Sequence, residues 1–248
     1  MRKGQVRLLV TVRVMLVTPA VNAELRHAVF GADEPLDAAG RRAAERAGAH
    51  AAASLRTHTP AYAAPSVRCR QTADALGLAA EPEAELADWD VGRWRGRGLE
   101  ELAAAEGEAV RAWLTDPAAA PHGGESLLQL RGRVGVWLDG LTGPAGTAGP
   151  AGTAGPAGTA GTAGTAGTET TGDTGDTHRT DSAPAPALTH RVVAVAEPAA
   201  VRAAVVHALD LPSAAFWRLD VPPLTRTELT GRAGRWNLRC GIPLTPDP

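Results

Sequence analysis

The 248-residue chain has only two cysteines, Cys69 and Cys240. Two thiols so far apart make neither a metal-ligand spacing nor a disulfide framework, and such usage fits a reducing, cytoplasmic setting. A surplus of either charge is also missing. The formal net charge is -2, so no basic excess points to nucleic acid. No apolar run approaches the roughly 20 residues that a membrane-spanning helix requires. Histidine occurs at His27, His50, His58, His122, His178, His190 and His207, and these positions form no catalytic or metal-binding spacing. No cofactor, metal, nucleic-acid or membrane partner is therefore expected. A small-molecule ligand or another protein remains.

The amino terminus reads two ways. Met1-Arg2-Lys3, Leu8-Leu9-Val10 and Val21-Asn22-Ala23 imitate a secretory signal. Arg7 and Arg13 interrupt its apolar part, and the other reading takes 1–11 as an extension ahead of a first strand. In that reading Val12, Val14, Met15, Leu16 and Val17 form the short apolar run of a parallel strand covered on both faces. Thr18-Pro19-Ala20 ends the run, and ligand loops of open α/β sheets lie at the carboxyl ends of such strands.

Asp37 is a good N-cap for an Ala- and Arg-rich helix over 38–55. Ala61-Tyr62-Ala63 is a strand candidate, and a helix opens after Ser66 and runs to about residue 76. Helices are expected over 99–105 and 108–114, in a cap-like insertion, and over 127–138, where Ser126 is placed to cap. Trp89, Trp94, Trp113, Trp137, Trp217 and Trp236 read as core or cap packing. From Gly143 to Gly167 glycine recurs at every third position. That pattern resembles collagen, but it is too short and too poor in proline for a stable triple helix, and the reading is a flexible linker. The whole of 141–189 has no apolar period that could offset its ordering entropy, so a disordered insertion is expected. Order resumes with a strand over 191–196 and a helix to Leu209, then strands over 224–229 and 235–238. The organisation is thus an extension (1–11), one domain (12–140 and 190–240), the insertion (141–189) and a tail (241–248).

Several motifs occur in a meaningful order. Pro35-Leu36 precedes Gly40. Pro65-Ser66-Val67-Arg68-Cys69-Arg70-Gln71-Thr72-Ala73 opens a helix. Leu86-Ala87-Asp88 precedes Gly92, Trp94 and Gly96. Gly123-Gly124-Glu125-Ser126 leads into the next helix. Arg202 follows Glu197-Pro198 at the end of a buried strand. Together they resemble the histidine phosphatase (phosphoglycerate mutase-like) superfamily over nearly all the chain outside the extension and the repeat. The resemblance implies a three-layer α/β/α sandwich with a mostly parallel central sheet. It also implies a site in which a first His takes the phosphoryl group, two Arg and a second His hold its oxygens, and a carboxylic acid protonates the leaving group.

This chain departs from that pattern. Where the family has Arg-His-Gly it has Thr18, Pro19 and Ala20, and where the family has its second His it has Glu197. Arg68 matches the second phosphate-binding Arg, and Asp88 matches the acid. The positions read as ligand-binding are Thr18, Arg68, Asp88 and Glu197, with no catalytic residue assigned. One expected function is a non-catalytic, ligand- or protein-binding member of the superfamily. The other is an active phosphatase with a rerouted mechanism. Thr18 could act as nucleophile with Glu197 as base, or its hydroxyl could satisfy loop backbone. Cys69 could have a lowered pKa beside Arg68, or be a buried structural thiol. Asp88 and Glu197 could share a divalent cation, although two carboxylates alone make a weak site. His122, beside Gly123, is the histidine nearest a family site loop. Charge arithmetic predicts that Arg68 pairs with Glu197, with Asp88 as a further candidate partner.

Overall fold

The computed structural model describes residues 11–22, 29–31, 33–142, 189–232 and 234–245. The secretory-signal reading of the first residues and the collagen-like repeat lie largely or wholly outside them. Strands β1 (Thr11–Val17), β2 (Ala61–Ala63), β3 (Glu81–Pro82), β4 (Thr189–Val195), β5 (Thr225–Arg232) and β6 (Arg235–Pro243) form one sheet in the order β3-β2-β4-β1-β5-β6. Pairings from β3 to β1 are parallel; β1 with β5 and β5 with β6 are antiparallel. The fold is the expected three-layer α/β sandwich with a mostly parallel sheet. Strands on both sides of 143–188 share this sheet, because β4 lies between β2 and β1.

β1 takes the central place because both of its faces are apolar. Val12, Val14 and Leu16 alternate with Met15 and Val17, and all five are almost fully buried. Each such side chain contributes about 1.5–3 kcal/mol through burial. In β4, Val192, Val193, Ala194 and Val195 are equally buried.

Helix α1 (Ala38–Leu55) starts where Asp37 Oδ1 accepts from Gly40 N at 2.7 Å. Helix α2 (Val67–Ala75) is capped by Ser66. α3 (Leu99–Ala105) and α4 (Gly107–Thr115) follow, and α5 (Leu127–Leu141) begins with a capping box between Ser126 and Gln129. α6 (Pro198–Ala208) places Pro198 in its first turn, where the missing N–H has no cost. His207 on α6 is bonded to Asp139 on α5 at 3.0 Å.

Some boundaries differ from the sequence reading. Leu141 and Thr189 belong to α5 and β4, and Thr11 belongs to β1. β6 continues through Pro243, and Leu244 is buried, so residues 241–244 are part of the domain. The hairpin partner β5 supplies the pairing that carries the strand past Leu238. β3 was not anticipated; two residues are too few to carry a period.

Strand register positions the site. Val17 and Ala63 both pair with Val195, so β1, β2 and β4 end at one level. Ala196 N donates to Val17 O at 2.9 Å and Ala64 N to Val195 O at 2.8 Å, which holds the three exits together. Thr18, Ser66 and Glu197 follow these exits within a few residues.

Candidate functional site

At the carboxyl ends of β2 and β4, one buried carboxylate gathers several donors. Glu197, the N-cap of α6, is 1% exposed. Arg68, in the first turn of α2, meets it with a guanidinium fork: Nε donates to Oε1 at 2.8 Å and Nη2 to Oε2. Ser66 Oγ donates to Oε1 at 2.7 Å, and Cys69 Sγ to the same oxygen at 3.4 Å. The Arg68 side chain is 12% exposed. Burial alone lowers its pKa, but the bonds to Glu197 and the charges of Glu197 and Asp88 outweigh this and raise it. The guanidinium is therefore charged and paired. The expected Arg68–Glu197 contact is present; Asp88 does not share it.

Asp88 sits opposite that pair. Its Oδ1 accepts from Trp89 N at 2.8 Å. Its pKa is raised to about 7, chiefly by burial and then by the charge of Glu197, against the opposing pull of Arg68, the Trp89 amide and Arg95. Its loop is held from α5 and the turn before it. Arg133 forks onto Glu125 at 2.7 and 2.9 Å and also donates to Glu85 O and Asp88 O. Glu125 N donates to Asp90 O at 2.8 Å, and Trp89 Nε1 to Glu125 O at 2.6 Å. Gly92 has φ +47°, and a Cβ on Gly124 would collide with Asp90 O. The Gly123-Gly124-Glu125 motif thus acts here as a brace for the Asp88 loop.

The remaining sequence candidates are placed elsewhere. Thr18 is 1% exposed, and its hydroxyl donates to Pro222 O at 2.6 Å and accepts from Thr225 N at 3.1 Å. It fastens β1 to the start of β5 and does not join Glu197, so the nucleophile–base pairing is not assembled and Thr18 is not in the cluster. Pro19 and Ala20 are buried, and Ala20 N donates to Thr72 Oγ1 at 3.2 Å. For Cys69, burial and then the charge of Glu197 push the thiol pKa well above its ordinary value. It is a buried thiol, and the reading of a lowered pKa is corrected. His122 is 1% exposed and packs edge-on against Trp94. Its Nδ1 accepts from Gly124 N at 3.1 Å, and burial lowers its pKa. It stabilises the brace from within and does not reach the cleft. Among the described residues no group of three or more His, Cys, Asp or Glu could hold a metal ion, and no helix is long and apolar enough to cross a membrane.

Arg68 and Asp88 stand at the junction of two adjoining cavities. One, of about 220 Å³, is polar and also lined by Asp33, Glu34, Ser66, Arg95 and Glu197. The other, of about 230 Å³, is lined by Phe30, Trp89, Trp113, Phe216, Trp217 and Arg202. Ring centroids here are 4.7 Å apart for Trp113–Trp217, 5.2 Å for Trp89–Trp113 and 5.3 Å for Trp89–Phe216. The tryptophans do pack together, as read from sequence, but they also wall a ligand-sized cleft. Sequence reasoning missed Ser66, Asp33, Arg95 and this wall. Ser66 had a signal: it lies two residues before Arg68 at a helix start. Asp33 and Arg95 carried none, since they reach the cleft only through the loops between elements.

A family model described as the histidine phosphatase superfamily (branch 1) matches residues 19–147. Among solved structures, a mycobacterial glucosyl-3-phosphoglycerate phosphatase with VO3 is 21% identical, with a TM-score of 0.66 over 93% of this chain and 98% of that one. A putative alpha-ribazole-5'-P phosphatase from Escherichia coli is 15% identical, with a TM-score of 0.66 over 92% and 95%. A phosphoserine phosphatase mutant from Entamoeba histolytica with phosphoserine is 14% identical, with a TM-score of 0.65 over 92% and 94%. No curated protein matches the chain in sequence.

Proposed function

The chain belongs to the histidine phosphatase superfamily, and on that premise we propose that it is a member without phosphohistidine chemistry, a pseudophosphatase that binds a ligand or a protein. In this reading Pro19 stands at the position of the nucleophilic His, Glu197 at that of the second His, and Thr18 at that of the first Arg. A proline ring offers no nucleophile. The observation that carries the reading is the Glu197 carboxylate seated in the fork of Arg68. There it supplies the bidentate contact that a phosphoryl group makes with an arginine. A phosphate dianion entering the cleft meets an anion already in place.

The bound group suited to such a cleft carries a positive or hydrogen-bond-donating end. Glu197 is engaged by Arg68, so of the two carboxylates at the family's site positions Asp88 is left to receive an amine, with Asp33 and Glu34 lining the same cavity. The aromatic wall beside it suits an apolar or cationic body.

One observation favours the second reading, a phosphatase by another route. With a pKa of about 7, Asp88 holds a proton it can donate near neutral pH. The neighbouring hydroxyl and thiol do not complete that route, because Thr18 is engaged with β5 and Cys69 stays protonated.

Purified protein incubated with a generic phosphomonoester, with and without divalent metal, separates the two. The expected result is no acid-labile phosphoenzyme and turnover indistinguishable from that of Arg68→Ala. Turnover that Arg68→Ala abolishes sinks the pseudophosphatase and establishes the second reading.

A further inference from the structure

A larger cavity, of about 490 Å³, lies on the face of the sheet below the end of α1, beside the amino-terminal halves of β1 and β4. Its charged lining is Arg13, Arg191, Arg226 and Arg239 against Glu228 alone. Glu228 pairs with Arg226 at 3.2 Å and with Arg239 at 4.0 Å. Among the described residues neither Arg13 nor Arg191 has a carboxylate within 4 Å; Arg191 reaches only the Thr57 hydroxyl, at 3.4 Å.

The register makes this arrangement costly. Arg13 and Arg191 are direct partners across β1 and β4, so their side chains leave the same face on strands about 4.8 Å apart. Like charges directly opposite each other oppose strand pairing. Apolar residues occupy the next two inward positions on that face, Met15 with Val193 and Val17 with Val195. Arg13 and Arg191 therefore begin where the apolar cover of β1 and β4 stops. Ser54, Thr230 and Asn237 add neutral hydrogen-bonding groups, and Arg226 Nη1 already donates to Ser54 Oγ at 3.3 Å.

We infer that this groove is a second ligand site, built for a small polyanion carrying two phosphate or carboxylate groups. One group bridges Arg13 and Arg191, and the other meets Arg226 and Arg239, whose charge Glu228 only half offsets. The volume is within the roughly 300–1,000 Å³ of small-molecule sites. The site is separate from the cleft, since none of its lining residues lines either cavity there.

The test uses inorganic pyrophosphate as probe, at constant ionic strength, by titration calorimetry and thermal unfolding of the full chain. Saturable binding and a raised Tm are expected for the wild type. The double variant Arg13→Gln, Arg191→Gln should bind about tenfold more weakly or worse, because it loses charge-assisted hydrogen bonds. Without pyrophosphate the same variant should have the higher Tm, since the repulsion is gone. Arg131→Gln, which removes a surface charge on α5 outside the groove, should bind as the wild type does. Absence of saturable binding, or binding that the double variant leaves intact, overturns the inference. Binding that appears only after Glu169→Gln, Asp173→Asn, Asp176→Asn and Asp181→Asn also overturns it, because the chain's own acidic residues are then the occupant.

Discussion

Arginine occurs both beyond the carboxyl ends of the parallel strands and in the groove on the sheet face, and the two places treat it in opposite ways. At the carboxyl end, Arg68 is buried against Glu197 and further tied in by Ser66 and Cys69 on the same oxygen. In the groove, Glu228 pairs with Arg226 and Arg239, while among the described residues Arg13 and Arg191 have no carboxylate within 4 Å. The first arrangement is electrostatically closed. Its charges face each other in a region where a lone charge is expensive, so partner loss is severe. The second is open to solvent, where water and salt make repulsion tolerable but leave it unrelieved. The same sheet can thus have an arginine held as structure beyond one end of its strands and others presented to a ligand elsewhere. What decides is whether the neighbouring strand exit supplies a carboxylate.

The strongest way to break this contrast is Arg68→Ala, which leaves Glu197 buried without a counter-ion. It should cost about 3–5 kcal/mol in urea unfolding. Arg68→Met combined with Glu197→Leu should recover most of that loss, since a well-packed apolar pair often replaces a buried ion pair at no cost. If the single variant is as stable as the wild type, the pair is not closed in the sense argued.

An effect smaller per pH unit comes from Asp88. Its folded-state pKa, about 7, lies above its ordinary value of 3.8, so between these values the folded protein binds the extra proton. Stability is favoured at the acid end of that window and falls as pH rises from about 4 to 7, by up to about 1.4 kcal/mol per pH unit. Denaturation midpoints across that range should show the slope in the wild type and lose it in Asp88→Asn. A slope of the opposite sign from this residue would contradict the environment described for it.

The smallest effect belongs to the groove. Arg13→Gln should stabilise the protein by about 0.2–1 kcal/mol at low salt. The gain should shrink as ionic strength rises, because exposed charges are screened. An unchanged or lowered stability at low salt would show that the register of Arg13 with Arg191 carries no penalty.

The fold was legible because its signals are local. The apolar run of β1, the caps Asp37, Ser66 and Ser126, and the Val-rich β4 each lie within a few residues of the element they specify. The contact of Arg68 with Glu197 was legible from charge once the family resemblance had put their two loops in one pocket. What escaped depended on distant partners. Thr18 is fastened to Pro222 and Thr225, more than 200 positions away, and nothing beside it in sequence announces that bond. The aromatic wall draws Trp89 and Trp113 against Phe216 and Trp217 from separate segments. Arg13 looked like an interruption of an apolar stretch. Only the residue-by-residue alignment of β1 with β4 puts Arg191 at its side.

The seat of Glu197 has a consequence in competition. A dissolved oxyanion approaching Arg68 is a solute at whatever concentration its surroundings supply. The carboxylate already there is fixed by the last turn of β4 and the first of α6, and it pays no entropy of association. Held there by the fold, it needs no encounter from solution to occupy the fork of Arg68. In the proposed reading Glu197 is in that respect a competitor built into the chain.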